Sequence, residues 1–172
     1  MLLHIIEEVQ KCIENECYIA ALTLALTIPD ICGKAEFPDI NGTRERYIRW
    51  YDAHVGYTEY SYSLSPYVSG EVVYSLRNMM LHQGTPNIEP GKINDARNKV
   101  DKFILTIAEA MDGGASSFVR DYDGTIKNRT LEINITNLCA KLCAVAKGHY
   151  VAQPDTFNFF EYELKDKRPG TL

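Results

Sequence analysis

Cys17 to Ile28 reads CYIAALTLALTI, and the reading of this stretch decides what kind of chain surrounds it. Apolar residues occupy nearly every side of a helical wheel, which predicts a central helix buried in a core. The run from Tyr18 to Ile28 is too short to span a bilayer. Pro29 is expected to bend or interrupt it, with Asp30 to Ala35 adding another turn. Upstream, Leu2, Ile5, Ile6, Val9, Cys12 and Ile13 fall on one stripe, while Glu7, Glu8, Lys11 and Glu14 lie elsewhere. That spacing predicts a surface helix with a single buried face.

Downstream, the loop EFPDINGT (36–43) leads to a third helix, predicted from about Arg44 to Val55 with Thr43 or Asn41 as N-cap. Tyr47, Ile48, Trp50, Tyr51, His54 and Val55 share one side of it, and Glu45, Arg46, Arg49 and Asp52 the other. A tyrosine- and serine-rich connection, GYTEYSYSLSPY (56–67), precedes a fourth helix predicted from about Val68 to Gln83. The character then changes. KFILTIAEA (102–110), SSFVRDYD (116–123) and RTLEINI (129–135) are short runs rich in β-branched and aromatic residues. Asp112-Gly113-Gly114 and Asp123-Gly124 punctuate them as turns. The expectation is one mainly α domain over residues 1–172: a helical core over 1–90, an antiparallel β-meander over 97–135, a last helix over 136–148 that Gly148 stops, and a tail over 149–172.

Composition narrows the function classes. At 172 residues the chain is long enough for a substantial core. A net charge of −5 speaks against coating nucleic acid through a broad basic face, and leaves room for a small basic cleft. The N-terminus mixes charged and apolar residues, unlike a secretion signal, so a cytoplasmic protein with no membrane partner is expected. Three glycosylation-like triplets, at Asn41, Asn128 and Asn134, are read as chance on that basis. Five cysteines fit a reduced compartment. Their spacings do not form a zinc knuckle, so neither a metal nor a cofactor is expected, and small buried apolar residues are the reading.

Chemistry concentrates in GEVVYSLRNMMLHQG (70–84). Val72, Val73, Leu76, Met79 and Met80 form the apolar face of this helix, and Glu71, Tyr74, Ser75, Asn78 and His82 the opposite one. Tyr74, Asn78 and His82 line up as successive i, i+4 neighbours. Arg77 projects from the flank, about 140° from His82 at α-helical spacing. A phosphate beside this face would meet a permanent guanidinium, an amide and an imidazole. Arginine binds phosphate bidentately, and imidazoles shuttle protons near neutral pH. The bland alternative is a solvated helix face with His82 favoured by the helix dipole. His54, on the aromatic side of its helix, reads as a satisfied core histidine, while His4 and His149 have no partners in sequence. Arg44, Arg46 and Arg49 form a basic edge.

Arg77-Asn78 followed by His82, in LRNMMLHQG, resembles the arginine, polar residue and histidine motif of HEPN domains (higher eukaryotes and prokaryotes nucleotide-binding). The resemblance covers about residues 1–90 and implies a helical bundle with the motif near the end of a late helix. It further implies a metal-independent endoribonuclease of the kind found in toxin–antitoxin and other defence systems, acting on RNA as a homodimer whose two motifs share one cleft. His82 would be the acid or base, Arg77 would stabilise the charged phosphorane, and Asn78 would orient one of them. Glu71, Tyr74 and Leu81 would line the substrate or dimer cleft, and a protein antitoxin or other partner would fit the same picture. Some HEPN toxins carry a modifiable tyrosine two residues after the histidine; here that position is Gly84. The alternative is a catalytically inactive HEPN module that binds a protein or nucleotide, and a third reading is a small structural protein with no site.

Overall fold

A computed structural model describes residues 1–56, 68–83, 100–108, 116–120, 126–159 and 165. Helix α1 (Leu2–Glu14) buries Leu2, Ile6 and Val9 against the body and leaves Glu7, Glu8 and Glu14 in solvent, as its stripe dictates. It ends where Cys17 N–H reaches back to the Cys12 carbonyl at 2.7 Å, with Glu16 between them at φ 58°. That left-handed conformation strains any residue with a Cβ. Glu16→Gly is therefore expected to raise stability by about 0.5–1 kcal/mol in denaturant titrations; a loss of stability would mean that the side chain holds the turn.

Helix α2 (Tyr18–Ala25) buries Ala21, Leu22 and Ala25 between α1 and the last helix. Its first turn is open, with Ile19 56% exposed, so the expected burial on all sides holds on one side only. Pro29 does interrupt the run: α2 stops, and α3 (Ile28–Glu36) begins with Pro29 in its first turn, where a missing N–H breaks no helical bond. The consecutive stretch Tyr18–Glu36 is 19 residues and apolar enough to cross a membrane by length and composition, yet 56% of its most apolar 18-residue window is buried inside this fold. Helix α4 (Thr43–His54) delivers Tyr47, Trp50 and Tyr51, all fully buried, to the centre. Gly42, rather than Thr43 or Asn41, stands at its N-cap, with no side-chain cap bond.

Helix α5 (Gly70–Asn78) starts from Ser69, whose Oγ accepts from Val72 N–H, while Gly70 N–H donates to Asp52 Oδ1 on α4 at 2.6 Å. Val72, Val73 and Leu76 are fully buried, and so, nearly, is Ser75, whose hydroxyl is turned back onto the Glu71 carbonyl. The outer face inferred from the wheel is thus narrower than expected. At Met79 the α-helix passes into a π-helical turn, Met79–Gln83. The chain just past Gln83, residues 57–67 of the tyrosine-rich connection and both glycine turns between strands lie outside the described residues.

Strands β1 (Lys102–Thr106), β2 (Ser116–Arg120) and β3 (Ile126–Asn134) form one three-stranded sheet. The order is β1-β3-β2, and β1 runs parallel to β3, so the antiparallel meander is corrected to a mixed sheet. The parallel register sets Phe103 beside Leu131 and Leu105 beside Ile133, which lays alternate apolar residues of both strands on the helical body. Alternation has a period of two whichever way a strand runs, so it cannot reveal direction. Helix α6 (Ile135–Ala152) follows β3 without a break, capped by Asn134 Oδ1 on Asn137 N–H. It runs through Gly148, contrary to the expected stop, because His149 and Tyr150 still have aromatic neighbours to pack on. A single 3-10 turn, Pro154–Phe157, then returns Phe157 to the core.

Candidate functional site

The C-terminal end of α5 meets the first turn of α3. Arg77 Nε donates to Asp30 Oδ2 at 2.7 Å, and Arg77 Nη1 donates to Asn78 Oδ1 at 3.0 Å. The arginine and aspartate side chains are only 16% and 20% exposed, so the pair is largely withdrawn from water. The guanidinium lies 5.6 Å from the Tyr74 ring, and Arg44 lies over the same ring at 6.0 Å, placing it near two cations. Tyr74 in turn meets Tyr47 edge-on at 5.2 Å. Tyr47 donates its hydroxyl to the Leu26 carbonyl; burial first, then the Asp30 charge, push its phenol well above the ordinary value, with Arg77 opposing. It stays neutral through the physiological range.

Arg77 and Asn78 are therefore brought together, on a scaffold of three helices. Glu71 accepts from Arg44 Nη2 at 2.8 Å, and Tyr74 packs onto Tyr47, so both are engaged with α4. Leu81 is half-buried in the π-helical turn. His82 belongs to the same turn and is described by its backbone. Hydrogen bonds of i→i+5 type widen a turn, to roughly 80° per residue. Two α-type steps and three wide ones then bring position 82 to about 80° from Arg77 on the wheel, against about 140° for an unbroken α-helix. The π-turn moves the two motif positions toward one side.

Sequence reasoning missed Asp30. A signal was present: an acid embedded in the apolar run IPDICGKA needs a partner once the run is buried. It also missed a second cluster, on the far ends of α3 and α4. His54 Nε2 is 2.7 Å from Glu36 Oε2, and His149 Nε2 approaches the same oxygen at 3.9 Å. Trp50 Nε1 donates to His149 Nδ1 at 3.1 Å. His54 is thus an edge residue tied to a carboxylate rather than a core histidine, and the polar partners of His149, Trp50 and Glu36, lie 99 and more residues away. Those two polar partners leave no local pattern in the chain.

Other groups are arranged for structure. Burial pushes the Cys139 and Cys143 thiols up to about 12 and about 11, and Cys32 higher still, so none is a thiolate at neutral pH. Cys17 departs from the expected burial and is exposed. Burial also raises the Asp52 carboxyl, an effect opposed by the Gly70 N–H bond and reinforced by Glu71. An apolar groove of about 400 Å³ opens between α1 and α6, lined by Ile6, Val9, Ile13, Cys139 and Cys143 among others; neither Arg77 nor Asn78 borders it. Comparison of the chain with protein-family models, with curated proteins and with solved structures returns no match.

Proposed function

We propose that the chain is a metal-independent endoribonuclease of HEPN type, acting in the cytoplasm as a homodimer. The observation that carries this reading is the fixed guanidinium of Arg77, held by Asp30 and Asn78 at the point where α5 turns into the π-helical segment bearing His82. A preorganised donor beside a proton carrier is what phosphodiester cleavage by an internal nucleophile requires. The ribose 2′-hydroxyl gives its proton to a base and attacks phosphorus. The P–O5′ bond breaks, the 5′-oxygen takes a proton, and a 2′,3′-cyclic phosphate remains. His82 serves as base or acid, Arg77 offsets the charge of the phosphorane, and Asn78 orients the guanidinium. Two copies facing across a twofold axis would bring two guanidinium groups to one phosphate, each already partnered by its own Asp30.

The test is incubation of the purified full chain with mixed RNA in the presence of a chelator, followed by mapping of product ends. Cyclic phosphate and 5′-hydroxyl ends are expected, with cleavage unaffected by chelation. Cleavage that disappears with chelator sinks the mechanism. A second reading, an inactive HEPN module that binds a protein or nucleotide, draws on the low exposure of Arg77 and its engagement by Asp30. Absence of cleavage on any RNA would favour it.

A further inference from the structure

At the opposite ends of α3 and α4 from the Arg77 cluster, one carboxylate serves two imidazoles. Glu36 Oε2 is the shared oxygen, and the rings of His54 and His149 stack 5.8 Å apart with an interplanar angle of 24°. The tautomer of His149 is fixed by its neighbour. An indole N–H can only donate, so Nδ1 of His149 must carry a lone pair and its proton sits on Nε2, 3.9 Å from Glu36 Oε2. A second proton on His149 would have to go onto Nδ1, against the Trp50 N–H at 3.1 Å. Two donors would then face each other, and Trp50, fully buried, would lose its acceptor. A single carboxylate also balances one imidazolium and not two.

We infer that Glu36, His54, His149 and Trp50 form a proton-operated latch that ties α3 and α4 to the C-terminal half of α6 and to the turn after it. What it holds is visible in the packing. Phe157 meets the His149 ring edge-on at 5.2 Å and Tyr150 at 5.4 Å, and Lys34 lies 4.5 Å over the Phe159 ring. Protonating His149 therefore loosens the seat of the segment that follows Gln153. Among the described residues, the groups facing His149 are Glu36 from α3, His54 and the uncharged Trp50 from α4, and the ring of Phe157 from the 3-10 turn, whose Asp155 is exposed. On α6 itself, Tyr150 is half-buried and Lys147 exposed.

The balance of these groups sets the direction. Burial lowers the pKa of His149 below 6.5, Glu36 raises it, and a charged His54 lowers it again. The folded chain thus holds His149 neutral where the unfolded chain would bind a proton. Stability contributed by the latch is present above pH 6.5 and is lost as pH falls through the lower, folded value.

The chain contains one tryptophan, so its emission reads the latch directly. Titration of the full chain from pH 8 to pH 5 is expected to quench and red-shift that emission in one transition with a midpoint below the ordinary imidazole value. His149→Gln, which keeps an acceptor for the indole but cannot titrate, should abolish the transition, and Glu36→Gln should move it to lower pH. Emission that stays flat in the wild type, or a transition that survives unchanged in His149→Gln, overturns the latch. Should His149→Gln fail to fold, the wild type still decides: the Trp50 indole N–H resonance must shift with the same midpoint as the His149 ring protons, and a resonance that ignores that midpoint overturns the proposal.

Discussion

Arg77→Ala is expected to lower stability by about 2–3 kcal/mol, between the small value of an exposed ion pair and the larger cost of breaking a buried one. The Arg77 and Asp30 side chains are 16% and 20% exposed, so neither is free to regain full hydration in place. Removing the arginine takes the cation away from an acid built into the first turn of α3. Asp30→Ala should cost less, about 1–2 kcal/mol, since a long arginine side chain can swing its charge toward water. The double variant should lose less than the sum of the two, with a coupling of about 1–2 kcal/mol in urea titrations. Arg77→Ala is also expected to abolish RNA cleavage, and here stability and chemistry must be separated. Arg77→Lys keeps the charge but not the planar fork that reaches Asp30 and Asn78 at once. A folded, inactive Arg77→Lys protein assigns the fork to catalysis. An Arg77→Ala protein as stable as wild type would contradict the ion pair.

The helix wheel places Arg77 on the flank, off the apolar face, and gives no hint of this cost. Periodicity reports which residues repel water, and it was sufficient for α1, for the aromatic side of α4 and for Val72, Val73 and Leu76 of α5. It is silent about a polar residue that crosses a helix boundary to meet another. Asp30 and Arg77 are 47 residues apart, and the pairing exists only because α3 and α5 both pack on α4. The same limit hides Glu36 and His149 behind Trp50. Strand positions were legible from β-branched runs, while the parallel course of β1 was not, because a period of two reads the same in both directions. The π-turn had no sequence signature either, since MMLHQ suits an α-helix equally well, and it matters most for the site because it re-phases position 82. Gly148 misled for a physical reason: glycine ends a helix when the chain can turn away, and here two aromatic contacts beyond it keep the helix going.

Gly33→Ala and Gly70→Ala are each expected to cost about 1–3 kcal/mol, whereas Gly148→Ala should gain about 0.5–1 kcal/mol. The three glycines lie in helices, and glycine in a helix is ordinarily improved by alanine, so the sign is the diagnostic. A Cβ on Gly33 would stand 2.7 Å from the Arg46 carbonyl oxygen and 3.0 Å from its carbon. One on Gly70 would stand 2.7 Å from the Ile48 carbonyl oxygen and 2.8 Å from its Cα. Both obstacles are backbone atoms of α4, which cannot rotate aside as a side chain would, so α3 or α5 must back away from it. A Cβ on Gly148 meets nothing within 4 Å among the described residues, which leaves the entropic gain. Displacing α5 has a second consequence, because Asp30 and Arg77 are positioned from α3 and α5, the two helices that touch α4 through these glycines. Gly70→Ala should therefore weaken the coupling between Asp30 and Arg77 measured in the double-variant cycle, and lower any RNA cleavage with it. Denaturant titration of the three variants decides the matter: Gly33→Ala and Gly70→Ala proteins as stable as Gly148→Ala would mean that α4 is not gripped at these two points, and that the Arg77 site does not depend on them.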